Sequence, residues 1–257
     1  MKSGHMASCV GYLRFTLESE GSEMGNSEEE VYRSILDEDI SASAAIENFL
    51  QRNNLIYVQE ENFNPVHPHY AGTKCLVNSF GIKDKAILKN VEKTLSTIRT
   101  AELFAEPDDS PLSLDYFYML HKKLFSDVYP WAGNIRVANA SKRTEFMKPE
   151  HIDEAIRSLF KGLESSDYLR TYEDADDFIN ELAYYMSELE LIHPFIDGNG
   201  RVIRLFFTLL AQRAGYSISW ASADPDHFLE ASITAIDGDY QALIGLLEEI
   251  VLPLNED

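Results

Sequence analysis

Apolar side chains return every three or four residues along almost the whole chain, and that period decides the fold class before any motif is considered. In "ASCVGYLRFTLESEG" they stand at Val10, Leu13 and Leu17, and the run stops at Gly21, a residue suited to a helix C-terminus. "SEEEVYRSILDEDI" opens at Ser27 with acids in its first turn, where the helix dipole favours them. "SASAAIENFLQRNNL" reads as a third short helix, capped by Ser41 or Ser43. "KDKAILKNVEKTLSTIRTAEL", "SLDYFYMLHKKLFSDV", "KPEHIDEAIRSLFKGLE", "YEDADDFINELAYYMSELELI", "RVIRLFFTLLAQRAG", "DPDHFLEASITAIDG" and "DYQALIGLLEEIV" each keep one apolar and one polar face. Only "NIRVANASKRTEFM" reads as extended, with room for one small hairpin. The expectation is an all-α helical bundle with one small β-hairpin flap, preceded by three N-terminal helices.

Between the third and fourth helices lies "EENFNPVHPHYAGTK", with two prolines and little periodicity, which reads as a linker or an ordered loop. It suggests a boundary near residue 56. "MKSGHMAS" contains a "GHM" that looks like a cloning remnant, so residues 1–8 are set aside, leaving 9–55 and 56–257 as the two expected segments. His67 and His69 lie in the proline-rich loop without cysteine or acidic partners in sequence and read as surface residues.

Charge narrows the function. A net charge of -21 over 257 residues repels phosphate backbones, so direct nucleic-acid binding is disfavoured. Cys9 and Cys75 have no metal or redox spacing, which fits free thiols in an intracellular protein. Delivery as a secreted effector is left open. No apolar run approaches the ~18 residues of a membrane span, so no membrane partner is expected.

The chemistry concentrates in "HPFIDGNGR", His193 to Arg201. Asn-Gly is a strong hairpin signal, but helical segments flank it on both sides. Gly198, Asn199 and Gly200 therefore make a loop feeding a helix N-terminus, where backbone N–H groups and the helix dipole suit a phosphate. Arg201 and Arg204 share one face of the first turn, and two guanidiniums beside such a cradle suggest a polyphosphate. Asp197 at its lip either holds Mg²⁺ or caps the helix. His193 precedes a proline that ends the preceding helix, and its near-neutral intrinsic pKa makes it a general-base candidate. Phe195, Ile196 or both should anchor the loop in the core. No GxxxxGK[ST] occurs, and "GNGRVI" lacks the last glycine of GxGxxG.

At this point the residues carry a resemblance. "HPFIDGNGRVIR" matches the Fic motif HxFx[DE]GNGRxxR at His193, Phe195, Asp197, Gly198, Asn199, Gly200, Arg201 and Arg204. "LHKKLFSDVYPWAGNIR" resembles the helix and Trp-Ala-Gly turn before a Fic flap, and "YAGTKCLVNSFGIKDKAILKNVE" resembles the opening segment of Fic toxins, so the likeness covers roughly residues 68 to 250, with a core about 112–215. The resemblance implies an all-α protein that transfers AMP from ATP to a protein hydroxyl. By position, His193 would deprotonate the target Ser, Thr or Tyr, and Asp197 would hold Mg²⁺ between the α- and β-phosphates. Gly198, Asn199 and Gly200 would cradle the phosphates, while Arg201 and Arg204 bind their β/γ end. "NASKRTEFM" would be the flap that takes up an extended target segment by strand addition, with Thr144, Glu145 and Phe146 as its pairing edge.

The N-terminal helices extend the resemblance. Fic enzymes are commonly restrained by a helix carrying [ST]xxxE[GN], whose glutamate pairs with the second arginine of the motif and blocks the γ-phosphate. The chain has two such patterns, Thr16 to Glu20-Gly21 and Ser43 to Glu47-Asn48. Small Fic antitoxins resemble three helices with the pattern on the first, so Thr16, Glu20 and Gly21 are the expected inhibitory residues. The chain then resembles an antitoxin joined ahead of its toxin. Toxin-like relatives point to the DNA gyrase B subunit and the topoisomerase IV ParE subunit as targets, an analogy and not a reading of these residues. Two alternatives stand beside this: transfer of another group (phosphate, UMP or phosphocholine), and a non-catalytic regulatory binding module.

Overall fold

The computed structural model describes residues 3–58, 63–141, 145–172 and 174–254, and divides the chain into two compact units, residues 1–109 with 121–134, and 110–120 with 135–257. The first unit contains helices α1 (Ser3–Ser19), α2 (Asn26–Leu36), α3 (Ala42–Arg52) and α4 (Lys85–Ala105). Helix α5 (Leu114–Phe125) gives its residues from His121 onward to this unit and its earlier ones to the second.

Helix α4 is the axis of the first unit. Its N-terminus is capped by Asp84, whose carboxylate accepts from the N–H groups of Ala86 and Ile87. Leu88, Val91, Leu95, Ile98, Ala101 and Phe104 are all buried, and α1, α2 and α3 each pack on this helix. Burial spreads around α4 to Thr94, Thr97 and Thr100, whose hydroxyls satisfy themselves on the carbonyls of Asn90, Lys93 and Ser96. The boundary expected near residue 56 therefore falls inside this unit, because all three N-terminal helices bury apolar faces on α4.

Helix α1 begins at Ser3, so most of the stretch set aside as a cloning remnant is helical, and Met6 is buried. From Cys9 to Leu17 only Arg14 escapes full burial, the mark of a core helix, not of an amphipathic surface one. It ends in a Schellman arrangement. Ser22 N–H donates to the Leu17 carbonyl and Gly21 N–H to the Glu18 carbonyl, with Gly21 at φ 72°.

The second unit contains α6 (Pro149–Ser165), α7 (Ala175–Ile192), α8 (Asn199–Arg213), strand β1 (Tyr216–Ile218), α9 (Pro225–Ile236), α10 (Gln241–Ile250) and strand β2 (Val251–Pro253). Helix α7 packs against α6, α8, α9 and α10. An aromatic cluster of Phe117, Phe160, Phe195 and Phe206 fills the core beside it. The two-stranded sheet is not where the sequence suggested. β1 and β2 pair antiparallel, Tyr216 with Pro253 and Ile218 with Val251, so the end of the last helical segment is a strand. In 134–147 the described residues show a single antiparallel bridge, Ser141 with Glu145. A tertiary partner outside its own neighbourhood made 251–253 extended, which local period could not signal.

Candidate active site

Six residues, His193 to Gly198, join α7 to α8. Pro194 disfavours ordinary helical backbone at the residue before it. His193 accordingly closes α7 in the left-handed region, φ 45° and ψ 62°, where a side chain is strained. Two hydrogen bonds hold it there. Its N–H donates to the Leu189 carbonyl at 3.1 Å, and its carbonyl accepts from Arg136 Nε at 2.7 Å. The imidazole is buried and lies parallel to the Phe146 ring, with centroids 3.6 Å apart and planes 8° apart. Its Nδ1 is 3.8 Å from a carboxylate oxygen of Glu190, one turn earlier on α7.

Arg136 is the clamp of this corner. Only 2% exposed, it donates to the carbonyls of His193, Ala138, Met147 and Ile192, and its own N–H donates to the Pro194 carbonyl at 2.8 Å. Burial pushes its pKa below the usual guanidinium value. It ties the flap segment, 134–147, to the end of α7. The sequence reading missed it; the available signal was one arginine flanked by Ile135 and Val137 in an extended stretch.

The rest of the loop is held by its own side chains. Phe195 is fully buried against Phe117 and Tyr118, as expected of an anchor. Asn199 Oδ1 accepts from the Phe195 N–H and Asn199 Nδ2 donates to the Phe195 carbonyl, both at 2.9 Å. Asn199 was expected as part of a phosphate cradle; its side chain is a clip that closes the loop. Asp197 Oδ1 accepts from the Gly198 N–H at 2.8 Å, and Gly198 takes φ 81° as it leads into α8. Gly200 lies in a tight place, since a Cβ there would sit 3.0 Å from Arg204 Nη1, which would have to give way slightly. Arg201 and Arg204 are both buried, and Arg204 is backed by its carbonyl's bond to Thr208, whose hydroxyl also accepts from Trp220. The second unit thus gathers His193, Asp197, Gly198, Asn199, Gly200, Arg201 and Arg204 around one helix N-terminus. Two cations and the opening amides of α8 make it a place for anionic oxygen, with an imidazole beside it.

The flap residues divide. Thr144 lies outside the described residues. Glu145 is exposed and in the bridge to Ser141, and Phe146 donates its N–H to the Ala140 carbonyl while its ring covers His193. Thr16, Glu20 and Gly21 belong to the first unit. Thr16 is buried, and half-buried Glu20 is the last residue before the left-handed Gly21. Ser43, Glu47 and Asn48 are exposed on α3. His67 and His69 are exposed, as expected. No group of three or more metal-ligating side chains occurs among the described residues, and no helix among them is long and apolar enough to cross a membrane.

A helix N-terminus flanked by two buried arginines and a strained histidine is a setting suited to anionic groups. Comparison with known proteins gives the family. Residues 111–211 match the Fic/DOC family. The chain is 36% identical over 176 residues to the protein adenylyltransferase VbhT of Bartonella schoenbuchensis, covering 68% of this chain but 37% of that protein. It is 32% identical over 183 residues to the probable protein adenylyltransferase y4lH of Sinorhizobium fredii, covering 71% of this chain and 94% of that protein. Among solved structures, the BepC effector of Bartonella tribocorum, crystallised with bound AMPPNP, superposes with a TM-score of 0.67 at 26% identity, covering 74% of this chain and 98% of that one. The chain belongs to the Fic/DOC family, and is an enzyme of the protein adenylyltransferase class.

Proposed function

We propose that this enzyme transfers AMP from ATP to a hydroxyl side chain of a target protein, and that its own first helix restrains it. One observation carries the reading. A histidine strained into the left-handed region is held beside the amide-rich start of α8 and its two buried arginines, a base next to an anion site. His193 accepts the proton of the attacking hydroxyl. The hydroxyl oxygen bonds to the α-phosphorus as the α–β bond breaks and pyrophosphate leaves; Arg201 and Arg204 hold that β/γ end, and the start of α8 takes the phosphates. Such transfer needs positioning, a base and charge neutralisation, with no covalent enzyme intermediate.

The donor set fits Mg²⁺. One carboxylate, Asp197, orientated by the Gly198 N–H, is the kind of single protein ligand that Mg²⁺ takes alongside substrate phosphates. The ion would neutralise phosphate charge. The likeness of the N-terminal helices to small antitoxins supports a toxin–antitoxin origin, with Glu20 as the restraining carboxylate. By the same analogy the targets are the DNA gyrase B subunit and the topoisomerase IV ParE subunit in a bacterial cytoplasm.

Labelled ATP tests the reading. With the Glu20→Gly variant and the DNA gyrase B subunit, α-labelled ATP should leave its label on protein in a reaction that requires Mg²⁺. Label arriving only from γ-labelled ATP would make the enzyme a kinase. No label from either would leave a binding module.

A further inference from the structure

A second concavity is lined in part by residues that adjoin this site in sequence. It holds about 260 Å³ between α6 and α7, and its lining includes Met147, Gly162, Tyr184, Tyr185, Glu188 and Ile192. Ile192 adjoins His193 in sequence, and Met147 follows Phe146, whose ring covers that histidine. Met147 is also fastened to α7 by its N–H on the Leu191 carbonyl at 2.9 Å. A chain passing the base at His193 would therefore run within a few residues of this cavity.

The lining is specific in chemistry. Tyr184, 42% exposed, sets its ring edge-on to Tyr185 at 5.2 Å and to Tyr240 at 6.2 Å. Tyr240 faces Glu188, its hydroxyl 3.5 Å from Oε1. A glycine inside α6 weakens that helix by about 1 kcal/mol. Here it leaves room, since a Cβ on Gly162 would stand 2.8 Å from the Tyr185 hydroxyl. The field is acidic: after burial, Glu188 and Glu181 raise the pKa of Tyr184, and Glu181 raises that of Tyr185. Neither lysine nor arginine lines the cavity among the described residues; the Arg136 guanidinium lies behind its wall, engaged by the Met147 and Ile192 carbonyls. An anion would be repelled here, and a purely apolar ligand would strip water from Glu188 without replacing it. A long basic side chain meets both demands. Its methylene stem can lie on Met147 and Ile192, and its cation can reach the tyrosine faces and Glu188.

We infer that this cavity receives an arginine side chain of the target protein, close in sequence to the hydroxyl that is modified. Arginine is preferred to lysine because its planar guanidinium stacks on tyrosine rings and bonds a carboxylate in the same plane. The inference rests on the transfer reading above for its role, but its binding step does not.

Titration of the whole chain, carrying ¹³C-labelled tyrosine, with N-acetyl-arginine amide and its neutral isostere N-acetyl-citrulline amide tests it by NMR. The arginine probe should shift the Tyr184 and Tyr185 ring signals saturably and bind at least fivefold more tightly than citrulline. Glu188→Gln should bring the two probes to equal affinity, and Tyr184→Ala, at an exposed position, should weaken the arginine probe without disturbing the fold. Equal affinity for the two probes, the absence of a saturable shift, unchanged arginine affinity in Glu188→Gln, or tighter binding of N-acetyl-leucine amide would each overturn the assignment. Since no ATP is used, a failure of AMP transfer leaves this result standing, and a failure here leaves the transfer reading standing.

Discussion

Helices α1 and α7 both end on a left-handed residue, and they do so by opposite means. Helix α1 ends at Gly21, φ 72°, where the missing Cβ makes the conformation easy and two backbone bonds complete the cap. Helix α7 ends at His193, φ 45°, where a side chain makes the conformation costly and Arg136, Pro194 and the Asn199 clip are needed to hold it. Strain of this kind, ~1–3 kcal/mol, persists only where surrounding structure over-determines it. The lesson is one of purpose. The end of α1 needs only to stop, and it leaves Glu20 between its last residue, Ser19, and Gly21. On the proposed function the end of α7 aims an imidazole, so glycine would not serve.

The largest expected effect strikes the strained end. His193→Ala, made in the Glu20→Gly background, should lower label transfer from α-labelled ATP by ~10²–10⁴-fold, the usual worth of a general base, with ATP affinity by calorimetry near that of the parent. Transfer close to the parent rate would reduce the strain at His193 to a matter of folding. Next comes the other end. Glu20→Gly should raise self-labelling by more than about tenfold, beyond what an exposed ion pair of ~1 kcal/mol could restrain. Glu47→Gly, on the exposed face of α3, should leave self-labelling where it was. Activation by Glu47→Gly instead would exchange the roles of the two [ST]xxxE[GN] segments.

Smaller effects concern stability. Asn199→Ala leaves a buried N–H and carbonyl of Phe195 without their partner and should cost about 2–4 kcal/mol by denaturant unfolding. A loss below about 1 kcal/mol would mean that Arg136 alone holds the loop. Gly21→Ala meets only Lys89 Nζ, at 4.0 Å, so its cost is that of the left-handed backbone, about 1–2 kcal/mol. A neutral result would show that the end of α1 can rearrange, and would weaken the comparison between the two ends.

Much of the site was legible because it is contiguous. His193, Asp197 and the glycines stand within nine residues, and neighbouring helical periods say that they form a loop before a helix. Helix positions were legible for the same reason, since period is a local property. The reading failed where the deciding partner is distant. Residues 251–253 carry no strand signal of their own; they are extended because 216–218 offers them a ladder. Residues 3–8, which hold the "GHM" that resembles a cloning remnant, form the first turns of α1, with Met6 buried.

The chain's own sequence determined that the protein is helical, where the loop ahead of α8 lies, and that a proline forces a break after His193, because all of these follow from short-range sterics and side-chain period. Tertiary structure alone decided that Arg136 would clamp the flap to that break, that Asn199 would spend its side chain on Phe195, and that Phe146 would cover the imidazole. Those choices depend on which carbonyls and rings come together across residues far apart in sequence. A buried donor must find an acceptor wherever the fold brings one, and no local pattern records where that is.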